Sequence, residues 1–362
     1  MDKGNQAGAH NSQRARLSKT CRRLNSYFFH HYVSQYTDVI DFETVGLMLK
    51  CFPRVTTVLK CQSSHLKPSN VKGDYIWVTD LCFSFFGNAY LLGTALCNLV
   101  LACPLLKRLE VTLKGSTPVS LLRLNGASAL PHLEDLELHY TVVKKREMIQ
   151  LFTGRTKSRN LYVSNITRFY DRDVLKALPS SIESLCVEVI PCNFEEALAI
   201  IGRLPNLNKL TLDYERRAGW LGLQQAAARL TNLTICYSDV EHESISSVIP
   251  SLVNLKSLEF SCCFGDCEDL MCAISSLQKI ETLKMTTNHE GTGLNLKSDK
   301  GLLHIRTGPV RHSLMYCEIS LTSEKRLLGT SLSMYFRTLV VPSLANQKVA
   351  GFWFDVSPGG DL

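Results

Sequence analysis

The sequence predicts an α/β solenoid, with short strands stacked into a parallel sheet on the concave side and helix-like segments returning behind it. Three observations predict it. An apolar-x-x-apolar-x-apolar phrase recurs along the chain, with its central apolar residue at 58, 81, 109, 136, 161, 185, 210, 233, 258 and 283. The intervals between those residues run from 23 to 28, and most are close to 25. Between the copies lie stretches with helical periodicity. A strand–helix unit of about 25 residues cannot bury its apolar face alone, whereas stacked neighbours can.

The phrase is clearest in Leu130-Pro131-His132-Leu133-Glu134-Asp135-Leu136-Glu137-Leu138. It returns at Leu106/Leu109/Val111, Ile182/Leu185/Val187, Leu207/Leu210/Leu212, Leu230/Leu233/Ile235, Leu255/Leu258/Phe260 and Ile280/Leu283/Met285. Weaker copies are Val78/Leu81/Phe83, Leu161/Val163 and Val55/Val58. The alternating second half of the phrase predicts a short strand with one face inward. Prolines 104, 131, 179 and 205 stand just before four copies. Helices are predicted over Asp171–Leu178, over Phe194–Ile201 with a capping box from Asn193 to Glu196, and over Glu268–Ile274. Past residue 290 the period decays. Leu303/Ile305, Phe336/Leu339/Val341 and Val349/Phe352/Phe354 keep strand character at irregular spacing, as in a terminal cap, and Ser357–Leu362 reads as a loose tail.

This pattern resembles the leucine-rich-repeat family, L-x-x-L-x-L-x-x-N/C-x-L, over roughly residues 50–290. Cys263 and Asn288 fall at the N/C position of their copies, while Lys114, Thr141, Ile166, Ile190, Glu215 and Ser238 fall there elsewhere. The resemblance implies a horseshoe-shaped solenoid over 49–290, irregular terminal repeats and a C-terminal cap over 291–362, and the repeat length of intracellular varieties.

Residues 1–13 are polar and predict a disordered tail. Residues 14–48 predict a helical segment, because Leu17, Cys21, Leu24 and Phe28 lie three or four apart opposite a basic face. One reading is a cap over the first repeat. The other comes from resemblance: Leu17, Thr20, Cys21, Arg22, Leu24 and Tyr27 are similar to the late helices of an F-box, L-x-x-V-C-[KR]-x-W-x-x-[LF]. Leu24 replaces the usual aromatic residue, Thr20 replaces an apolar one, and the opening L-P-x-E helix is absent. The resemblance implies a substrate receptor of an SCF-type ubiquitin ligase, with Leu17, Cys21, Arg22, Leu24 and Tyr27 contacting a Skp1-like adaptor. A leucine-rich-repeat scaffold without that link is the alternative.

Composition excludes several other classes. The chain has 362 residues, 45% hydrophobic and 20% charged, which is too apolar for wholesale disorder. Leu81–Leu106 carries no charge and is long enough to cross a bilayer, yet its ends obey the repeat register, so a strand and helix of a soluble core are expected. The first 23 residues hold six basic side chains against Asp2 and no apolar signal segment follows, which leaves an organellar transit segment as a minor alternative to a cytoplasmic or nuclear protein. The 14 cysteines then read as reduced thiols, and the sequons at Asn165 and Asn232 as accidental. No nucleotide-binding, metalloprotease or hydrolase motif is present; Gly291–Ser298 has Leu296 where a phosphate loop needs glycine. Cys262, Cys263, Cys267, Cys272 and His289 lack paired zinc spacing, and Cys272 is expected in an apolar helix stripe. No enzyme activity, cofactor or metal is expected.

The positions one and three after each central residue are expected to point out of the concave sheet. They include Glu110, Glu137, Glu188, Asp213 and Glu259 against Lys284 alone, on a chain of net charge +7. Tyr140, Tyr214 and Tyr237 recur four places after their central residues and would serve as aromatic anchors. An acidic concavity suits a basic protein segment and disfavours nucleic acid. The reducing compartment is checked by counting thiols in denatured, unreduced protein: nearly all 14 are expected free, and several protected pairs would place the chain on the secretory route.

Overall fold

Several copies of the phrase open with a turn that leads into the strand, and the turn explains three of the four prolines; Pro179 stands first in its turn, its carbonyl accepting the Ile182 N–H. In Cys103–Leu106, Leu130–Leu133 and Leu204–Leu207 the fourth residue donates its N–H to the carbonyl of the first. Pro104, Pro131 and Pro205 hold the second place of those turns, where a fixed φ near −65° is already correct. Leu252–Leu255 makes the same turn without proline.

The computed structural model describes residues 57–63, 76, 78–86, 90–114, 130–139, 143–164, 166, 171–188, 194–213, 219–236, 245–261, 268–286, 308–319, 321–323, 334–337 and 355–357. The chain divides into two units, Met1–Leu151 and Phe152–Leu362. The predicted tail at 1–13, the segment at 14–48, Asn193, and Leu303/Ile305 lie outside the described residues.

In the first unit four strands pair in parallel: β1 (Thr57–Ser63), β2 (Asp80–Phe86), β3 (Arg108–Lys114) and β4 (Asp135–His139). Val58, Leu81, Leu109 and Leu136 are successive register partners, which are the central residues read from the sequence. The uncharged run resolves into β2 and helix α1 (Tyr90–Leu101), whose Leu96, Cys97, Leu99 and Val100 are buried. At 12 residues α1 falls well short of the roughly 20 a bilayer requires. Among the described residues no helix is long and apolar enough to cross a membrane. Helix α2 (Lys145–Phe152) closes this stretch, and Gly154 just beyond it takes the left-handed conformation, φ 78°, that glycine adopts without penalty.

In the second unit seven strands pair in parallel. They are β5 (Asn160–Ser164), β6 (Ser184–Glu188), β7 (Lys209–Asp213), β8 (Asn232–Cys236), β9 (Ser257–Ser261), β10 (Thr282–Thr286) and β11 (Tyr316–Ile319). Leu161, Leu185, Leu210, Leu233, Leu258 and Leu283 are again partners in turn, and Cys317 of β11 continues the row. The sheet therefore runs past residue 290. β11 escapes the period because Cys317 follows Leu283 by 34 residues and is not a leucine. Beyond it β12 (Leu321–Ser323), β13 (Met334–Arg337) and β14 (Asp355–Ser357) form a separate antiparallel sheet, which places Phe336 in a strand as expected and Ser357 in a strand rather than in the tail.

The return segments vary in type along this unit, between α-helices and 3-10 turns. Helices α3 (Arg172–Lys176), α4 (Phe194–Ile201) and α5 (Glu268–Ser275) match the predicted ones, and Asp171 caps α3 by accepting the Asp173 N–H at 3.0 Å. Elsewhere among the described residues of this unit the return segments are 3-10 turns, at Leu221–Ala226, Ile249–Ser251 and Pro309–His312. The turn at Leu221–Ala226 packs unusually close to α4: a Cβ on Gly222 would lie 2.6 Å from the Ala199 nitrogen and the Glu195 oxygen, so only glycine fits. Phe194 and Trp220 meet edge to face at 4.9 Å beside that contact.

A second periodic device is made by the backbone. The carbonyl two residues before eight of the central residues accepts two N–H groups of the next repeat, at 2.7–3.0 Å. Thr79 and Lys107 do so in the first unit, and Arg159, Glu183, Asn208, Thr231, Lys256 and Glu281 in the second. Side chains add to this link: Asn206 Nδ2 donates to the Ser180 carbonyl at 2.9 Å, and Asn254 Nδ2 to that of Ala228 at 2.7 Å.

The three apolar positions of the phrase form the core. Leu207, Leu210 and Leu212 are fully buried, as are Leu255, Leu258 and Phe260. A charge at the central position has no partner to offset its desolvation. Replacing Leu210 by Asp is expected to cost on the order of 4 kcal/mol or more, read as a collapse of the cooperative melt in circular dichroism. Native-like melting of the variant would contradict the repeat register.

Candidate functional site

The alternation of each strand sorts its side chains between the core and an open face. In β4, β6 and β8 the second and fourth residues are buried and the first, third and fifth half-exposed. The residues one and three after the central position therefore face outward, as expected from the sequence. The residue one before it does so too, which the sequence-based count omitted. That position adds Asp80, Arg108 and Asp135 in the first unit and Lys209 in the second, so the open face is less uniformly acidic than expected.

In the first unit Glu110 and Glu137 are register partners on β3 and β4. They do not stand as a bare acidic pair. Arg108 Nη2 approaches Glu137 Oε1 at 2.7 Å and Glu110 Oε2 at 3.6 Å, and His139 Nε2 lies 3.8 Å from Glu137 Oε2. The neighbouring His139 imidazole and the Arg108 guanidinium hold the Glu137 carboxyl below its usual range, against the effect of partial burial.

In the second unit Glu188 and Asp213 are register partners on β6 and β7, and Glu259 stands two strands further on β9. Tyr162 and Ser164 of β5 both donate their hydroxyls to Glu188. Burial and this hydrogen bond push the Tyr162 phenol up, so it stays protonated. Ser164, expected as a solvated outward residue, is instead buried. Glu259 is paired with its register partner Lys284 at 3.0 Å. The outward acids expected to stand against Lys284 alone are thus partly neutralised: Glu110, Glu137 and Glu259 each have a basic side chain of the same face within 4 Å.

Cys186 and Cys236 lie on this face with free thiols. Burial, then Glu188, pushes Cys186 up to about 12; burial, then Asp213, pushes Cys236 up to about 11. Burial does the same to Cys103, to about 12. Thiols at these values are not nucleophiles at neutral pH. Cys272 is exposed on α5, not in the apolar stripe assigned to it, since Leu270, Met271, Ala273 and Ile274 fill the inner side. Cys262, Cys263, Cys267 and His289 lie outside the described residues, as do the anchors Tyr140, Tyr214 and Tyr237 and the adaptor residues Leu17, Cys21, Arg22, Leu24 and Tyr27. The charged outward residues missed in the sequence are Asp80, Arg108, Asp135 and Lys209; position one before the central residue was the available signal.

The register, the turns and the shared carbonyls decide the class. The fold is that of leucine-rich repeats. No protein-family model matches the chain, and no curated protein matches it. Among solved structures it is similar to an internalin from Listeria monocytogenes, with 14% identity, a TM-score of 0.42 and 76% of each chain covered. A likeness so distant adds nothing to the fold, which rests on the repeat geometry.

Glu137 gives this face a pH signature. Its folded carboxyl titrates below the unfolded one, so the stability it contributes is present above the unfolded range and is lost as pH falls through the folded value. The melting-temperature gap between the natural chain and Glu137→Gln is expected to be full near about pH 7 and to close as pH falls below about 4. A gap independent of pH would contradict the ion cluster.

Proposed function

We propose that the chain is a non-catalytic protein-interaction module whose open sheet face receives a basic segment of a protein partner. The observation that carries this reading is the pairing of Glu188 with Asp213 on adjacent strands, with Glu259 beyond, on a chain of net charge +7. Register partners in parallel strands lie about 4.8 Å apart, close enough for successive basic side chains of an extended peptide to meet successive carboxylates. The half-buried setting of these acids strengthens such contacts relative to fully solvated ones. Tyr214 and Tyr237, one residue beyond β7 and β8, are assigned to the rim of the same surface on sequence position.

The finer reading is that of a substrate receptor, in which the segment containing Leu17, Cys21, Arg22, Leu24 and Tyr27 holds a Skp1-like adaptor and the repeats hold the protein to be modified. Its support is the F-box-like match placed directly ahead of the repeats, and it assigns the chain to the cytoplasm or nucleus. Co-purification of a Skp1-like adaptor with the full chain, lost in Leu17→Asp, supports it; adaptor-free recovery leaves the scaffold reading.

The surface itself is tested with an arginine-rich peptide of about ten residues. Binding is expected to weaken as salt is raised, since exposed charges are screened beyond roughly 8 Å at physiological ionic strength. Asp213→Lys with Glu259→Lys is expected to weaken binding at least tenfold without a comparable fall in melting temperature, whereas equal binding by the double variant moves the site to the return segments.

A further inference from the structure

The cluster on β3 and β4 contains more than an ion pair. One carboxylate oxygen each from Glu110 and Glu137 and a ring nitrogen of His139 all lie within 4.8 Å of one another. We infer that Glu110, Glu137 and His139 form a binding site for a first-row divalent cation of the manganese or zinc kind, with Arg108 as the resident charge that the cation displaces.

The donor set is one imidazole nitrogen and two carboxylate oxygens, which suits such ions better than calcium or a thiolate-seeking metal. Ligand atoms about 2.1 Å from a shared ion stand roughly 3.4 Å apart, so the three tips need only draw in by about an ångström. Side-chain rotation supplies that without moving the strands, because the register fixes the glutamates opposite each other and His139 two residues beyond Glu137 on the same face. The side chains retain 25%, 26% and 19% exposure, which shields the donors but leaves a path for an ion and for water in its remaining coordination positions.

The position between the carboxylates already takes positive charge, since Arg108 Nη2 reaches both. Arg108 is 45% exposed and can swing its guanidinium into solvent at small cost. Occupancy by Arg108 and by a metal is mutually exclusive, so the arginine sets the affinity. This inference is independent of the partner surface of the second unit.

Manganese(II) titration of the full chain, followed by the loss of the free-ion electron paramagnetic resonance signal, tests it. Manganese is chosen because the 14 cysteines, which would capture zinc, compete poorly for it. One equivalent is expected to bind, Arg108→Gln to bind several-fold tighter, and His139→Ala and Glu137→Gln at least tenfold weaker. Melting curves are recorded for each variant, and His139→Asn replaces His139→Ala if the alanine variant does not fold. No saturable binding in either the natural chain or Arg108→Gln overturns the inference. Affinity unchanged by the folded His139 variant overturns it as well, and leaves an ion-pair network only.

Discussion

Everything in this molecule depends on one carbonyl per repeat being shared. The strand of each repeat is only four to seven residues long, too short to define its own register. Two N–H groups of the next repeat converge on the carbonyl two places before eight of the central leucines. That contact places the next leucine directly beside its predecessor, and the leucine then excludes water from the contact. Neither part suffices alone: the hydrogen bonds contribute little net stability in the presence of water, and apolar burial alone does not specify register. Together they give a unit that is copied by stacking.

The strands were legible in the sequence because their constraint is local. All three apolar positions of a strong copy are buried, so each must be apolar, and the spacing within the phrase cannot vary. The weak copy at Leu161/Val163 shows the limit: Ser158 holds the first position, buried, and its carbonyl accepts the Ser181 hydroxyl at 2.6 Å. That bond uses the backbone carbonyl, which any residue supplies, so a small polar side chain at this position leaves the link intact and erases half of the signal. The 3-10 turns were not legible for a related reason. A return segment has only to cover the core, and Leu223 with Ala226, or Val248 with Ile249, cover it as well as a helix does.

The candidate surface was half legible. Period-two alternation identified outward residues correctly, but which charges neutralise one another depends on pairing between strands. Arg108 reaches Glu137, 29 residues away, only because β3 and β4 are neighbours in register. A tally along the chain counts Glu137 as available; the sheet shows it engaged. The same neighbour logic holds for Glu188, whose charge is taken up by two hydroxyls of the preceding strand, and for Cys186 and Cys236, whose thiols burial first and the neighbouring carboxylates second keep protonated.

The 34-residue step from Leu283 to Cys317 leaves the pairing of β10 with β11 undisturbed. Chain length between rungs is therefore decoupled from the order of the rungs. Insertions and deletions in such a molecule fall into two unequal classes. Those behind the sheet alter what a repeat displays and leave the ladder in place. A single residue gained or lost within a strand turns every later side chain of that strand to the opposite face. New length in the connections of this chain is therefore a source of new surface rather than of misfolding.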